Sequence, residues 1–350
     1  MATALLYGAY GYTGELTARF AKARGMRLIL AGRDQAKTNE VAQRWGMDQR
    51  IFPLDDPRSL DMGLHGVDVV LHCAGPFSHT SRPMVDACIR NKVHYLDITG
   101  EIDVFEACAA RDAEARAAGI MVLPGSGFDV VPSDCLAAHL KQRLPDATHL
   151  ALAFLGMSSV SHGTATTVVE NLHAGGRVRR NGKLESIPAG SLARTIEFAV
   201  VGPRETMAIP WGDVSTAYHS TGIPNIEVYV PVPRGARTGA RALSLLSPIV
   251  ASGPVQALLK KAVDARPAGP TDEQRAKGYS LLWGEAKNAR GDVRVSRMRT
   301  PEGYTLTADS SLALVRRVLE GDFKPGYQTP SSAYGADFVM GLEGVSRTDD

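Results

Sequence analysis

Short apolar runs alternate with amphipathic segments of helical length through the first 125 residues of the chain. Strands separated by helices of this length are typical of β–α–β units, in which right-handed crossovers join neighbouring parallel strands. The run that ends at His72 is continuously apolar, as expected of a strand that is buried on both faces of a sheet. The predicted strands are Ala4–Tyr7, Arg27–Ala31, Ile51–Pro53, Val67–His72, Val93–Asp97 and Ile120–Leu123.

The segments between these strands carry residues that begin and end helices. A glycine-rich turn opens the first helix, which runs to about Arg24, and Asp34 or a neighbour caps the second, which runs to Trp45. A later helix begins at Pro132, which suits a first-turn position, and ends before Pro145. The remaining helices of this region are predicted over residues 81–91 and 102–118.

The pattern changes after Pro145, where prolines interrupt the apolar runs. The four residues 288–291 separate two predicted strands and are typical of a hairpin connection. The expected fold class is therefore α/β, a doubly wound parallel sheet followed by a second α+β domain with a largely antiparallel sheet. In this second region strands are predicted at 148–155, 194–201, 226–232, 281–287 and 293–299, and helices at 163–174, 304–319 and 333–340.

A length of 350 residues suggests about two domains. Residues 1–145 are expected to form the first domain, which residues 325–350 complete. Residues 146–324 are expected to form the second, for substrate binding or dimerisation.

The composition excludes some classes of protein. With 44% hydrophobic and 22% charged residues, the chain resembles ordinary globular proteins and is not mostly disordered. The net charge of +2 (39 basic against 37 acidic residues) predicts no nucleic-acid partner. The densest basic cluster, residues 177–180 before Asn181-Gly182, is interpreted as a solvated turn, with a phosphate-binding patch as the alternative.

The cysteines and apolar segments predict a cytoplasmic location. Four cysteines without metal-ligand spacing are expected to be reduced thiols. The first residues show no signal-peptide pattern, and no stretch approaches the length of a membrane span. Residues 242–259 are interpreted as a packed helical pair, because Pro248 and Pro254 interrupt them, with peripheral membrane contact as the alternative.

The turn after the first strand has the spacing G-x-x-G-x-x-G. Glycines there let the backbone turn sharply and approach a pyrophosphate, and the helix that follows offers free N–H groups and a partial positive charge. The position of the turn in a β–α–β series predicts a dinucleotide site. The cofactor contacts predicted here are Gly8, Tyr10, Gly11, Tyr12 and Thr13.

The end of the second strand indicates which dinucleotide binds. An acidic residue at this place binds the ribose of NAD, whereas a basic residue accommodates the 2′-phosphate of NADP. The strand is followed by Gly32 and Arg33, and Lys37 lies one turn further on, which favours NADP. Asp34 keeps NAD as the alternative, because its carboxylate could take the ribose contact.

Loops after the later strands complete the predicted site, since ligands lie beyond the carboxyl ends of strands in such sheets. Asp129 is a candidate catalytic group, and capping of a helix is an equal alternative. His162, before a predicted helix of the second region, is the candidate proton donor, although a structural role is common at such positions. The other cofactor contacts predicted are Ala74, Gly75, Pro76, Phe77, Thr99, Gly100, Glu101, Gly127 and Phe128.

Taken together, these loops resemble those of the saccharopine dehydrogenase-like oxidoreductases. The resemblance rests on the segments 8–14, 74–77, 97–101 and 127–134, and on the later residues 304–308 and 329–330. The nearest branch is that of the trans-acting enoyl reductases and animal saccharopine dehydrogenase-like oxidoreductases. The resemblance implies a Rossmann-type domain, a second α+β domain and a nicotinamide cofactor, and analogy suggests a homodimer.

The expected function is therefore an NADP-dependent oxidoreductase that reduces a C=C, C=N or C=O bond of a small molecule. The proline-rich segments and the apolar stretch 242–259 weakly favour a hydrophobic substrate. Two alternatives remain, a dinucleotide-binding sensor or scaffold without turnover, and a lipid-associated interaction protein.

Overall fold

The computed structural model describes residues 3–156, 175–233 and 269–350, together with residues 235, 239 and 255. His162, the helix predicted at 163–174 and, apart from Val255, the apolar stretch 242–259 lie outside the described residues. The chain divides into two compact units. Unit 1 is Met1–Val131 with Tyr304–Ala333, and unit 2 is Pro132–Gly303 with Tyr334–Asp350.

Strands and helices are numbered in chain order over the described residues. The strands are β1 (Ala4–Tyr7), β2 (Leu28–Gly32), β3 (Asp48–Ile51), β4 (Val69–His72), β5 (His94–Asp97), β6 (Met121–Leu123), β7 (Ala147–Gly156), β8 (Gly176–Arg180), β9 (Lys183–Ile187), β10 (Ala193–Phe198), β11 (Gly202–Ala208), β12 (Asn225–Pro231), β13 (Tyr279–Asn288), β14 (Val293–Pro301), β15 (Gly326–Tyr327) and β16 (Ser346–Asp349). The helices are α1 (Tyr12–Ala23), α2 (Gln35–Trp45), α3 (Pro57–Leu64), α4 (Phe77–Asn91), α5 (Ile102–Ala109), α6 (Asp112–Ala118), α7 (Val131–Arg143), α8 (Asp213–Thr221), α9 (Asp272–Lys277), α10 (Gly303–Leu319) and α11 (Pro330–Tyr334).

Unit 1 is built on a seven-stranded sheet in the order β15-β6-β5-β4-β1-β2-β3, and all six neighbouring pairs of these strands are parallel. All residues of β1 and β4 are buried, because helices cover both faces of the sheet. The strand order reverses between β1 and β4, so the loops after these two strands diverge and leave a crevice at their carboxyl ends. The doubly wound sheet expected from the sequence is confirmed.

Three local features of unit 1 differ from the sequence prediction. Strand β3 lies a few residues earlier than expected, at an edge of the sheet where three of its four residues are exposed. Helix α3 was not predicted, although Asp56 caps it by accepting hydrogen bonds from the amides of Arg58 and Ser59. The single helix expected over 102–118 is divided at Arg111 into α5 and α6.

The bounds of the units also differ from those expected. Helix α10 groups with unit 1, where the hydroxyls of Ser310 and Ser311 donate to the carbonyl of Ser126 at 2.7 and 3.2 Å. The last residues, expected in the first domain, group with unit 2 because β16 pairs with β14. Helix α7 groups with unit 2, where Leu140 packs so closely on Gly284 that a Cβ there would lie 2.7 Å from it.

Unit 2 contains a nine-stranded sheet with the path β10-β11-β12-β7-β13-β14-β16, and the β8–β9 hairpin pairs with β12. Of its pairs, β12–β7 is parallel and the others are antiparallel, as the sequence predicted. The connection predicted between β13 and β14 is confirmed, with the amide of Gly291 bonded to the carbonyl of Asn288 at 3.2 Å. Strands β8, β9, β11 and β16 and helices α8 and α9 were not predicted.

The basic cluster before Asn181 forms one strand of a tight hairpin. Asn181 and Gly182 have φ values of 48° and 78°, the positive pair that two-residue hairpins favour. Arg179 is only 4% exposed and stacks on the ring of Tyr218 at 4.2 Å, while donating to the carbonyls of Val214 and Gly182. The turn was predicted correctly, but Arg179 is buried and not solvated.

All four cysteines are free thiols, as predicted. Burial raises the pKa of the Cys88, Cys108 and Cys135 thiols, so they stay protonated and unreactive near neutral pH. Within the described residues, no group of His, Cys, Asp or Glu side chains is arranged to hold a metal ion. No helix in that part of the chain combines the length and apolar character needed to cross a membrane.

Candidate functional site

The glycine-rich loop after β1 is held tightly by its neighbours. The amides of Gly8 and Ala9 both donate to the carbonyl of Ala31 on β2, at 2.8 and 3.1 Å. Gly8 has a φ of 84°, and a Cβ on it would lie 2.8 Å from the backbone nitrogen of Ala74. A Cβ on Gly14 would fall well inside van der Waals contact with the carbonyl oxygen of Gly8. The fold itself therefore requires glycine at positions 8 and 14.

Gly11 is different, because nothing in the described chain requires a glycine there. Its φ of −73° and ψ of 157° suit any residue, and a Cβ would meet only the Gly8 oxygen, at 3.4 Å. Gly11 is exposed at the N-cap of α1, so a side chain at this position would lie at the N-terminus of that helix. A glycine that the fold does not need is explained when a ligand must approach the backbone closely.

The helices that begin at this edge of the sheet differ in how their first turns are capped. Asp34 caps α2 by accepting from the amide of Lys37 at 3.1 Å, and Glu101 accepts from the first amides of α4. Gly11 caps α1 without any side-chain hydrogen bond. Gly11 itself has no side chain that could accept from the first turn of α1, and the N-terminus of this helix carries the positive end of the helix dipole, which favours an anion.

The residues after β2 form the second part of the site. Tyr10 lies against Gly32, where a Cβ would be only 2.5 Å from the tyrosine ring, and the Lys37 ammonium is 5.8 Å from the centre of that ring. Arg33 is exposed at the end of the strand. Asp34 is engaged both as the cap of α2 and with the Lys37 ammonium at 3.7 Å. This arrangement places the Lys37 ammonium near Tyr10 and leaves Arg33 exposed after β2, while the Asp34 carboxylate, which could have bound a ribose, is bonded to Lys37.

The loop after β4 carries four of the predicted contacts. The hydroxyl of Thr80 donates to the carbonyls of Ala74 and Pro76 at 2.7 and 3.0 Å, which fixes the backbone of this loop. The ring of Phe77 is 8% exposed and meets the His72 ring edge-on, with the ring centres 5.4 Å apart. Phe77 therefore packs its ring into the core beside the loop, where a Cβ on Gly75 would lie 3.5 Å from the ring.

The loop after β5 is bonded directly to the loop after β4. The two carboxylate oxygens of Glu101 accept from the amides of Phe77 and Ser78, at 2.8 and 2.9 Å. The amide of Glu101 in turn donates to the hydroxyl of Thr99 at 3.1 Å. The Glu101 side chain was predicted to contact the cofactor, but its oxygens are engaged by α4.

Asp97, at the end of β5, is a buried acceptor that sequence reasoning treated only as part of a loop. Its carboxylate accepts from the Tyr95 hydroxyl at 2.7 Å and from the amides of Thr99 and Gly125 at 2.9 and 2.8 Å. Burial raises its pKa to about 6, although these three hydrogen bonds oppose the shift. An aspartate at the end of an otherwise apolar strand is the signal that could have identified it.

Replacement of Asp97 by alanine should lower the free energy of unfolding by about 3 kcal/mol, because the Tyr95 hydroxyl and two buried amides lose their acceptor. Asp97→Asn keeps an oxygen for the amides and should cost about 1 kcal/mol or less. Urea unfolding at pH 7.5 measures both values. Equal losses for the two variants would contradict the acceptor role.

Asp129 lies beside the loop after β5. A Cβ on Gly100 would be 2.7 Å from the Asp129 carboxylate, so the glycine makes room for this side chain. Burial raises the pKa of Asp129 to about 7, which leaves the carboxyl partly protonated near neutral pH. The preceding residue is fixed from α10, since the amide of Phe128 donates to the Thr307 hydroxyl at 2.9 Å.

The histidines near these loops have different surroundings. His72 is fully buried among Tyr7, Phe77 and Tyr95, and neither of its ring nitrogens has a hydrogen-bond partner. Burial lowers its pKa to about 3, so it is neutral in the folded protein. His79 is exposed on α4. His162 lies outside the described residues.

The structure places the predicted cofactor contacts in unit 1, on the loops that follow strands of its sheet. Asp129 lies on the last of these loops, next to Gly100. Sequence reasoning assigned no role to the side chains of Asp97, Thr80 and Thr307, whose hydrogen bonds hold these loops. Asp97 and Thr307 bond to Gly125 and Phe128, which are distant along the chain, whereas Thr80 bonds to residues four and six positions away.

Comparison with known proteins shows which family and which fold the chain resembles. Residues 4–123 match the saccharopine dehydrogenase NADP binding domain family. A trans-acting enoyl reductase of Mycobacterium leprae is 32% identical over 148 residues, which cover 40% of this chain and 35% of that protein. A saccharopine dehydrogenase-like oxidoreductase of Mus musculus is 28% identical over 179 residues, covering 45% and 42%. The matches therefore span less than half the length of these two relatives.

A solved structure shows the same fold along the whole chain. The saccharopine dehydrogenase (L-Glu forming) of Saccharomyces cerevisiae, in its apo form, superposes with a TM-score of 0.69 over 100% of both chains, at 13% identity. The family match covers strands β1 to β6 and the loops after β1 to β5. Residues 4–123, in the N-terminal part of unit 1, thus resemble the saccharopine dehydrogenase NADP binding domain family, and the chain as a whole shares its fold with a saccharopine dehydrogenase.

Proposed function

We propose that this protein is an NADP(H)-dependent reductase. The observation that carries the proposal is Gly11, a glycine that the fold does not require, at the N-cap of the helix that follows the first strand. These residues fit a pyrophosphate in front of α1. Arg33 and Lys37 then lie on the side of β2, where the 2′-phosphate of NADP would meet them.

The chemistry would be the reduction of a C=C, C=N or C=O bond of a small molecule. When bound, NADPH supplies a hydride equivalent. The name of the mycobacterial relatives, trans-acting enoyl reductase, favours a C=C bond among the three. Residues 242–259, outside the described part of the chain apart from Val255, supply the apolar sequence that favours a hydrophobic substrate.

Asp129 is the residue that we assign as proton donor. A general acid works best when its pKa is near the operating pH, and burial raises the pKa of this carboxyl to about 7. Gly100 leaves space for the carboxylate, and Thr307 fixes the backbone of the residue before it. In this role Asp129 holds the proton on a carboxyl oxygen and delivers it to the atom that becomes basic on reduction.

Calorimetric titration with NADPH and then NADH at fixed salt tests the cofactor assignment. NADPH should bind in the micromolar range and NADH much more weakly, because Arg33 and Lys37 face a phosphate in one case and a hydroxyl in the other. Equal affinity for the two would contradict the assignment of NADP, and binding of neither would remove the proposed function.

Arg33→Ala should weaken NADPH binding by about 1.5–3 kcal/mol, the usual loss for a charged hydrogen bond, and leave NADH almost unchanged. Arg316→Ala is the matched control, since it removes the same charge from an exposed position on α10. Titration of each variant with both dinucleotides separates the outcomes. If Arg33→Ala weakened both equally, Arg33 would not read the 2′-phosphate.

A further inference from the structure

Glu101 connects the loops after β4 and β5. In the proposed binding mode, the adenosine half of NADP lies on the other side of the site, beside β2. The dinucleotide of the proposed function crosses the sheet at the reversal between β1 and β4. With its phosphorylated ribose beside β2, its nicotinamide half extends over the ends of β4 and β5. These are the strands whose loops Glu101 joins, through hydrogen bonds of 2.8 and 2.9 Å to the amides of Phe77 and Ser78.

The bonding of Glu101 is well suited to fixing a loop. Its carboxylate lies at the N-terminus of α4, a helix of 15 residues, where the dipole and two backbone donors stabilise a negative charge. Its own backbone is held by the Thr99 hydroxyl, and the amide of Thr99 is held by the buried Asp97. Asp97 also accepts from Gly125, so one series of hydrogen bonds links the loops after β4, β5 and β6.

The same bonds make Glu101 an unsuitable direct ligand. Both carboxylate oxygens accept from amides of α4, so a cofactor hydroxyl or amide would have to compete with two charge-assisted hydrogen bonds at a helix N-terminus. The loop it holds includes Ala74, whose backbone nitrogen approaches Gly8 of the phosphate loop. Displacement of this loop would therefore change the surface over which the nicotinamide half extends.

We propose that Glu101 is a positioning residue for the nicotinamide half of the cofactor. It holds residues 74–77 in place through α4 and does not touch the cofactor itself. This inference rests on the proposed function, because it needs NADP to lie along this edge of the sheet. It predicts that loss of the Glu101 carboxylate weakens the binding of the nicotinamide half of the dinucleotide and leaves the binding of the adenosine half unchanged.

The test uses two ligands on the full chain. The first, 2′,5′-ADP, reports only the adenosine half, and the second, NADPH, reports both halves and also carries the fluorescence of the reduced nicotinamide. Glu101→Gln replaces one acceptor by a donor that faces an amide, and should weaken NADPH about tenfold, a change of about 1.4 kcal/mol. The affinity for 2′,5′-ADP should stay within about twofold of wild type, and the shift of NADPH emission on binding should shrink.

Glu320→Gln is the matched control, because it removes the same charge from an exposed position in unit 1 and should change none of these values. Glu101→Asp is the second variant, since it keeps the charge but is one methylene too short to reach both amides, and should behave like Glu101→Gln. Binding of 2′,5′-ADP also shows that each variant is folded.

The outcomes separate the inference from the proposed function. If wild type binds neither ligand, the proposed function fails. If wild type binds both, and Glu101→Gln leaves NADPH affinity and emission unchanged, the positioning role is overturned while the cofactor site stands. Equal weakening of NADPH and 2′,5′-ADP would also overturn it, because the carboxylate would then act on the whole domain.

Discussion

Gly11→Val should leave the protein folded and weaken NADPH binding at least about 100-fold, a loss of about 2.7 kcal/mol or more. The backbone at Gly11 is extended, with a φ of −73°, so valine adopts it without strain. A Cβ there would contact only the carbonyl oxygen of Gly8, at an ordinary 3.4 Å. The branched side chain would instead occupy the space in front of the first turn of α1, where the pyrophosphate is proposed to lie.

Gly14→Ala, three residues further on, should destabilise the fold, which Gly11→Val should not do. The added methyl group would overlap the carbonyl oxygen of Gly8 and would lie 3.0 Å from the Cα of Ala9, and both are backbone atoms that cannot rotate away. Overpacking of this kind costs about 1–3 kcal/mol and sometimes more, so we expect a marked fall in the free energy of unfolding.

The two variants together distinguish a glycine that the fold needs from one that a ligand needs. Urea unfolding should show Gly11→Val within about 1 kcal/mol of wild type, and Gly14→Ala lower by about 3 kcal/mol. Calorimetry with NADPH should show that Gly11→Val no longer binds the cofactor although the protein is fully folded. Unchanged NADPH affinity in a folded Gly11→Val protein would contradict the placement of the pyrophosphate.

The central strands of the first sheet could be predicted from the sequence, whereas the edge strand β3 was predicted a few residues too late and the edge strand β16 of the second sheet was not predicted. Strands β1 and β4 are continuous apolar runs, because both faces of the sheet are covered there. Strands β3 and β16 are Asp-Gln-Arg-Ile and Ser-Arg-Thr-Asp, with mostly exposed residues and no apolar alternation. Such strands exist because a neighbouring strand offers hydrogen bonds, and that partner is not encoded locally.

In the candidate site, too, some features could be predicted from the sequence and others could not. The glycine loop and Arg33 are recognisable because their spacing from the strands is fixed along the chain. The role of Asp34 as a cap is also local, since its bond reaches only three residues, to the amide of Lys37. Glu101 instead bonds to amides 23 and 24 residues away, and sequence alone cannot tell whether a carboxylate faces a ligand or a distant helix.

His72 should make the folded protein sensitive to acid, and His72→Phe should remove this sensitivity. The imidazole is fully buried, neither ring nitrogen has a hydrogen-bond partner, and burial lowers its pKa from 6.5 to about 3. Below pH 6.5 the unfolded chain binds a proton at this residue, and the folded protein does not until about pH 3. Stability from this group is therefore complete above pH 6.5 and is lost as the pH falls toward 3.

The size of this loss of stability in acid follows from the shift in the pKa of His72. Each unit of pKa corresponds to about 1.4 kcal/mol, so a lowering from 6.5 to about 3 gives a loss of about 5 kcal/mol at full protonation, and of about 3 kcal/mol at pH 4. Asp97 acts in the opposite direction, because its folded pKa is raised from 3.8 to about 6 and it destabilises the fold as the pH rises through that range. The two groups partly cancel in the wild-type protein.

The difference between wild type and His72→Phe isolates the histidine, because every other titrating group is common to both proteins. Phenylalanine loses no hydrogen bond here and keeps ring contacts with Tyr7, Phe77 and Tyr95. Urea unfolding at pH 7.5, 6, 5 and 4 measures the free energy of unfolding of both proteins. The difference between His72→Phe and wild type should shift in favour of the variant by about 3 kcal/mol from pH 7.5 to pH 4. Parallel stability curves would mean that His72 takes up a proton in the folded protein, and hence that its surroundings are more polar than the aromatic cluster at the end of β4 implies.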